Sequence, residues 1–188
     1  MTILTVLAGD PDSEAAAGEW DARSGFAAAG EAARARRAED ERACLILGAR
    51  PLWLPYSDEQ YARGGSDGEI RAAVVEAVGS DDVLVPGFPL TNDEHRWLRD
   101  LLEGAFPHAS VGVYAEQPYA ARLGEFPNEG QAGAWVQLRA DLVDQRRKLA
   151  ACRAYASQLE LLGAPLGSIF RYEMKIGGES AAWTETGS

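Results

Sequence analysis

The sequence predicts an α/β fold: a Rossmann-like, mostly parallel sheet with helices on both faces. Short apolar runs rich in β-branched residues alternate with longer amphipathic runs. Glycines stand where the amphipathic runs end, as at Gly48 and Gly79, which is how helices stop. Strands this short, separated by helices, build a parallel sheet buried on both faces.

Residues 2–8, "TILTVLA", read as the first strand. Residues 9–30 are rich in Gly, Pro, Ser and Asp and read as a long loop, a length that marks binding loops. Residues 31–47 read as a helix closed by Gly48. "PLWLP" is a short strand, 56–68 a loop, and 69–78 a helix closed by Gly79. "DVLVP" is a third strand, stopped by Pro86 and Pro89. A helix over 94–104, a strand "SVGVYAE" and a loop over 116–134 follow. One long helix is predicted over 134–162, with Leu149, Cys152, Ala156 and Leu159 on one face. Residues 1–175 are expected to form one domain and 176–188 a flexible tail.

A chain of 188 residues is long enough for one domain with a full core. Its 46% hydrophobic content and net charge of -11 read as acidic and globular. That charge argues against nucleic acid or an anionic membrane as partner. The apolar runs are too short to span a bilayer, and the N-terminus lacks the basic flank of a signal peptide. Cys44 and Cys152 both fall on helical stripes and read as reduced thiols, which suits a cytoplasmic protein.

Several common sites are absent from the sequence. It has no G-x-G-x-x-G, no P-loop, no H-E-x-x-H and no C-x-x-C. Ligands of parallel sheets bind beyond the carboxyl ends of the strands. That rule singles out the loops over 9–30, 55–68 and 86–94. His95 lies just beyond the third strand, in "PGFPLTNDEHRWL". Thr91 and Glu94 fit a capping box there, which would make His95 a first-turn surface residue. Glu39 lies on the stripe of Ala32, Ala35, Ala43 and Ile46, and Arg36 three residues earlier is placed to neutralise it. Trp20 and Asp21 either wall a polar ligand or anchor their loop. Lys148 and Tyr155 are explained by helix packing.

The fragments "ARRAEDERACLILGA", "LPYSDEQY", "LVPGFPLTNDEHRWL", "VYAEQPYA" and "KLAACRAYASQ", in that order, resemble the PIG-L or LmbE-like family of zinc-dependent N-deacetylases. The resemblance runs from residue 1 to about 173. It implies a Rossmann-like fold and hydrolysis of acetamide bonds, typically on N-acetylglucosamine conjugates. It implies Zn2+ held by the His and second Asp of an H-P-D-D loop and by the last His of an H-x-D-H motif. Zinc lowers the pKa of its water to about 7, and the first Asp of H-P-D-D takes the proton.

By the same resemblance His95 matches the metal-binding His of H-x-D-H. Asn92 stands where the leading His is expected, and Glu94 where the Asp is expected. Arg36 matches an arginine that the family places near its substrate, and Trp20, Asp21 and Asn92 are further substrate-binding candidates. "GDPDSE" either places Asp10 and Asp12 in a rebuilt metal loop or is the ordinary loop after the family's second strand. On the second reading, which a gap of one loop before "RRAED" favours, the chain lacks one βα unit of roughly 30 residues, and with it most of the metal site. The functional expectation is then a deacetylase acting on an amino-sugar conjugate, inactive in this form. The alternative is a non-catalytic binding module of the same fold.

Overall fold

The computed structural model describes residues 1–124, 135–163, 166–176 and 179–183. In chain order the elements are β1 (Thr2–Thr5), α1 (Glu19–Arg23), α2 (Ala29–Leu47), β2 (Arg50–Trp53), α3 (Asp67–Val78), β3 (Val83–Phe88) and α4 (Asp93–Leu101). Then come β4 (Val111–Ala115), α5 (Tyr119–Leu123), β5 (Trp135–Leu138), α6 (Leu142–Arg153), α7 (Ala156–Leu162), α8 (Leu166–Ile176) and β6 (Glu179–Trp183). The α/β alternation is as the sequence predicts. No helix among the described residues is long and apolar enough to cross a membrane.

The chain divides into two compact units: Met1–Ile70 with Leu142–Ala164, and Arg71–Asp141 with Pro165–Ser188. In the first, β1 and β2 pair in parallel, with Thr2 opposite Arg50 and Thr5 opposite Trp53. Helix α2 covers this unit through small residues: Ala32, Ala33, Ala43 and Cys44 are buried. The expected stripe therefore turns slightly, since Ile46 is exposed. Gly30 is required at the helix start, because a Cβ there would meet Ser13 O at 2.6 Å and Pro11 O at 2.7 Å. Gly48 ends the helix in the left-handed region at φ 69, and Ala49 N–H returns to Cys44 O at 2.8 Å. The reciprocal capping box belongs to α3, where Ser66 N–H donates to Glu69 Oε2 at 2.8 Å and Glu69 N–H to Ser66 Oγ at 3.4 Å.

The second unit holds a four-stranded sheet in the order β3-β4-β6-β5. β3 and β4 are parallel; β6 runs antiparallel to both β4 and β5. The sheet is thus mixed at its C-terminal side. Two expectations change here. Residues 179–183, expected in a loose tail, form β6, and Ala181 and Ala182 are fully buried between β4 and β5. Small alanines fit a crowded sheet interior but carry no β-branched signal. The long helix predicted over 134–162 is instead β5, α6 and α7, with Tyr155 as the N-cap of α7. The predicted loops over 9–30 and 116–134 contain the short helices α1 and α5; residues 125–134 lie outside the described residues.

Gly87 sits in β3 so close to β4 that a Cβ would meet Val113 Cβ at 2.4 Å, whereas one on Gly68 in α3 would meet nothing within 4 Å. Gly87→Ala should therefore destabilise by about 1–3 kcal/mol through overpacking. Gly68→Ala should be neutral or stabilising by up to about 1 kcal/mol. Urea melts of the two variants check the contrast.

Candidate functional site

Two polar constellations stand out, one in each unit. In the second unit the chain leaves β3 at Phe88, passes Pro89 and Leu90, and enters α4. Leu90 takes φ 54, an uncommon conformation for a residue with a side chain. Its N–H donates to Glu116 Oε1 at 3.2 Å. Glu116 follows β4 directly, is 1% exposed, and its own N–H donates to Phe88 O at 2.6 Å. The second carboxylate oxygen of Glu116 is bonded to His95 Nδ1. His95 is thereby fixed by a buried carboxylate while its side chain stays 38% exposed. Tyr119 sets its ring edge-to-face against the imidazole, with centroids 5.6 Å apart.

Asn92, not Thr91, is the N-cap of α4: its Oδ1 accepts from His95 N–H at 3.1 Å. Its amide Nδ2 donates to Tyr119 Oη at 3.2 Å. The side chain expected to face a substrate therefore holds His95 and Tyr119 in register. The capping register shifts by one residue because an amide oxygen at 92 reaches the third N–H of the helix. Arg96 adds a bond from Nη2 to Leu90 O at 3.0 Å.

In the first unit Arg36 does not pair with Glu39. Its guanidinium is bonded to Asp21, and its other terminal nitrogen lies 4.0 Å from Asp58 Oδ2. Asp21 is 1% exposed and also accepts from Tyr61 Oη at 2.6 Å. Tyr61 Oη in turn accepts from Gly18 N–H at 2.8 Å. Gln60 Oε1 accepts from the backbone N–H of Trp20 and Asp21, at 2.7 and 3.1 Å. The predicted loops over 9–30 and 56–68 are thus locked onto α2 around one buried carboxylate. Burial, then the bond to Asp21, pushes the Tyr61 phenol above its ordinary range. Trp20 donates its indole N–H to Gln158 Oε1 at 2.9 Å. Glu39 is buried and accepts from Ser157 N–H and Oγ–H, both at 2.8 Å. The local three-residue spacing gave the wrong partner for Arg36 because a tertiary carboxylate outcompeted it.

Asp10 and Asp12 are exposed. Asp10 Oδ1 accepts from Asp12 N–H at 2.9 Å, and the loop is held by Arg37 Nη2 on Gly9 O at 2.6 Å and by Arg34 on Pro11 O. Tyr155 is structural: burial and Asp40 push its phenol up, and Asp40 Oδ2 also accepts from Thr5 Oγ1 at 3.0 Å and Trp53 Nε1 at 2.9 Å.

Zinc requires three or four ligands. Among the described residues no group of three or more His, Cys, Asp or Glu that could hold a metal ion is assembled. His95 Nδ1 is bonded to Glu116, which leaves Nε2 open, and Asp10 Oδ1 accepts within its own turn. Among the described residues neither His95 in its unit nor Asp10 and Asp12 in theirs has the three or four ligands of a zinc centre. Glu116, Tyr61 and Gln60 are the site residues that sequence reasoning missed. An acid placed directly after an apolar strand, as Glu116 is in "VYAE", was the available signal.

No protein-family model matches the chain, and no curated protein matches it in sequence. Solved structures match its fold. The crystal structure of the A40926 pseudoaglycone deacetylase gives a TM-score of 0.80 at 23% identity, over 98% of this chain and 84% of that one. A deacetylase of the teicoplanin biosynthesis pathway, solved as a "bog" complex, gives 0.77 at 20% identity, over 97% and 85%. The zinc-inhibited form of teicoplanin deacetylase gives 0.74 at 19% identity, over 97% and 85%. The chain has the α/β fold of these deacetylases.

Tyr61 gives a prediction with a pH signature. Tyr61→Phe removes a donor to buried Asp21 and an acceptor for Gly18, and should cost about 1–3 kcal/mol near neutral pH. A raised folded pKa means that the unfolded chain loses the phenolic proton first. The Tyr61 contribution is therefore complete below the unfolded value of about 10 and is lost as pH rises through the folded value. The stability gap between wild type and Tyr61→Phe should narrow above about pH 10, as read from urea melts across that range. A gap that widens there would contradict the assignment.

Proposed function

We propose that the protein is an N-deacetylase acting on an acetylated amino sugar of a larger conjugate. The observation that carries this reading is the His95–Glu116 pair, set at the carboxyl end of β3 in a fold shared with solved deacetylases. The family resemblance of five ordered sequence fragments points the same way. Because the residues do not fit zinc, no step is assigned to a metal.

The chemistry then rests on side chains. With Nδ1–H donating to Glu116, the imidazole keeps its lone pair on Nε2. Nε2 takes the proton of a water attacking the acetamide carbon and returns it to the departing amine. Glu116 favours the imidazolium formed in between, and Asn92 and Tyr119 fix the ring. In the first unit buried Asp21 and Tyr61 position the Arg36 guanidinium, and Trp20 holds the surrounding loop.

A second reading, a non-catalytic module that binds the same conjugates, is favoured by the absence of a three-ligand metal cluster among the described residues. Acetate release from N-acetylglucosaminyl conjugates, measured with and without chelator, separates the two. The proposal expects chelator-resistant release, a fall in kcat of about 10²–10⁴-fold in His95→Gln, and a smaller fall in Glu116→Gln. Saturable conjugate binding without acetate release would establish the binding module instead. Release abolished by chelator and restored by zinc would return the chemistry to a metal.

A further inference from the structure

The four-stranded sheet carries a cavity that the side chains of the proposed acid–base pair do not line. Its volume is about 340 Å³, at the small end of the roughly 300–1,000 Å³ range of ligand sites. Phe88, Pro89 and Leu90 wall it at the end of β3, and Val113 walls it from β4. Gly87 also lines it and is pressed against β4, so no side chain fills the space from that position. Two lining groups are polar: Arg99 from α4 and Trp135 from β5.

Both polar groups want an acceptor. The indole Nε1 of Trp135 is buried and has no hydrogen-bond partner among the described residues. Its ring is fixed edge-on to Phe88, with centroids 6.3 Å apart, which limits its freedom to turn toward solvent. Arg99 makes no hydrogen bond or ion pair among the described residues. A buried donor without an acceptor is uncommon in native proteins and calls for a ligand or water. Among the described residues one guanidinium and one indole N–H face this space beside apolar side chains, and no carboxylate lines it.

We infer that this cavity binds a small monocarboxylate with an apolar body. Arg99 and the Trp135 N–H take the carboxylate; Phe88, Pro89, Leu90 and Val113 take the hydrocarbon. A guanidinium prefers an anion to a neutral acceptor, because a charge-assisted bond is roughly twice as strong. A dianion such as phosphate is disfavoured, since a single cation lines the cavity among the described residues and the chain carries a net charge of -11. Neither His95 nor Glu116 lines the cavity, although the backbone of Leu90 and Phe88 bonds Glu116.

Isothermal calorimetry with sodium octanoate and with 1-octanol tests the inference. The wild-type protein should bind octanoate saturably, one per chain, and octanol about tenfold or more weaker. Arg99→Gln and Trp135→Phe should each weaken octanoate by about tenfold or more, and Arg99→Gln should leave octanol within about threefold. Equal binding of the two probes, no saturable octanoate binding in the low millimolar range, or an Arg99→Gln variant that binds octanoate as wild type does would each overturn it. Should Arg99→Gln lose its cooperative melt, the octanoate-to-octanol ratio on the wild-type protein decides alone. The measurement needs no turnover, so its outcome is separate from that of acetate release.

Discussion

The region after β3 depends on one buried carboxylate. Glu116 is almost wholly removed from water, and a buried carboxylate without partners costs several kcal/mol. Each of its oxygens has one strong partner: the Leu90 N–H and His95 Nδ1. Those partners are available only if the chain turns at Leu90 with positive φ and α4 begins at Asn92. The geometry of the loop, the start of the helix and the orientation of the imidazole are therefore one constraint. Loss of any member leaves the others with unsatisfied buried groups, which is why such networks are all-or-none.

The other unit repeats the device along a single helix. α2 buries small residues, Gly30, Ala32, Ala33 and Ala43, so neighbouring segments approach closely. Its longer polar side chains each seize a different one. Arg36 reaches Asp21 of α1, Glu39 reaches Ser157 at the start of α7, and Asp40 reaches Thr5 and Trp53 of the strands. Arg37 and Arg34 hold the backbone of the loop after β1. A helix with little apolar bulk on its inner face thus gains its specificity from directed polar contacts. Each contact accepts one partner geometry, whereas apolar packing would tolerate several.

The sequence made the alternation of elements legible because strand and helix periods differ and glycine stops helices at Gly48 and Gly79. It located His95 because the end of a parallel strand is where ligands bind. Partners were less legible. Spacing along α2 permits Arg36–Glu39, but only the fold brings Asp21 under the guanidinium. The break between α6 and α7 falls at Ala154 and Tyr155, where no glycine or proline stands to stop a helix. β6 escaped because its buried residues are alanines, and their burial is a fact about neighbours rather than about propensity. Glu116 escaped because a carboxylate after a strand looks like a loop residue until its partners are known.

The last step concerns what an oriented imidazole can do. A carboxylate on Nδ1 fixes the tautomer and directs the lone pair of Nε2 outward. Metal-ligating histidines and general bases share this arrangement. The His95–Glu116 pair therefore does not choose between them. The choice falls to the number of further ligands within reach, and the described residues assemble no group of three. A single imidazole on a metal gains too little to organise a centre, whereas a single imidazole with a buried carboxylate behind it is complete as a proton acceptor. The same side chains that would serve zinc in a fuller ligand set are, with the partners described here, suited to moving a proton.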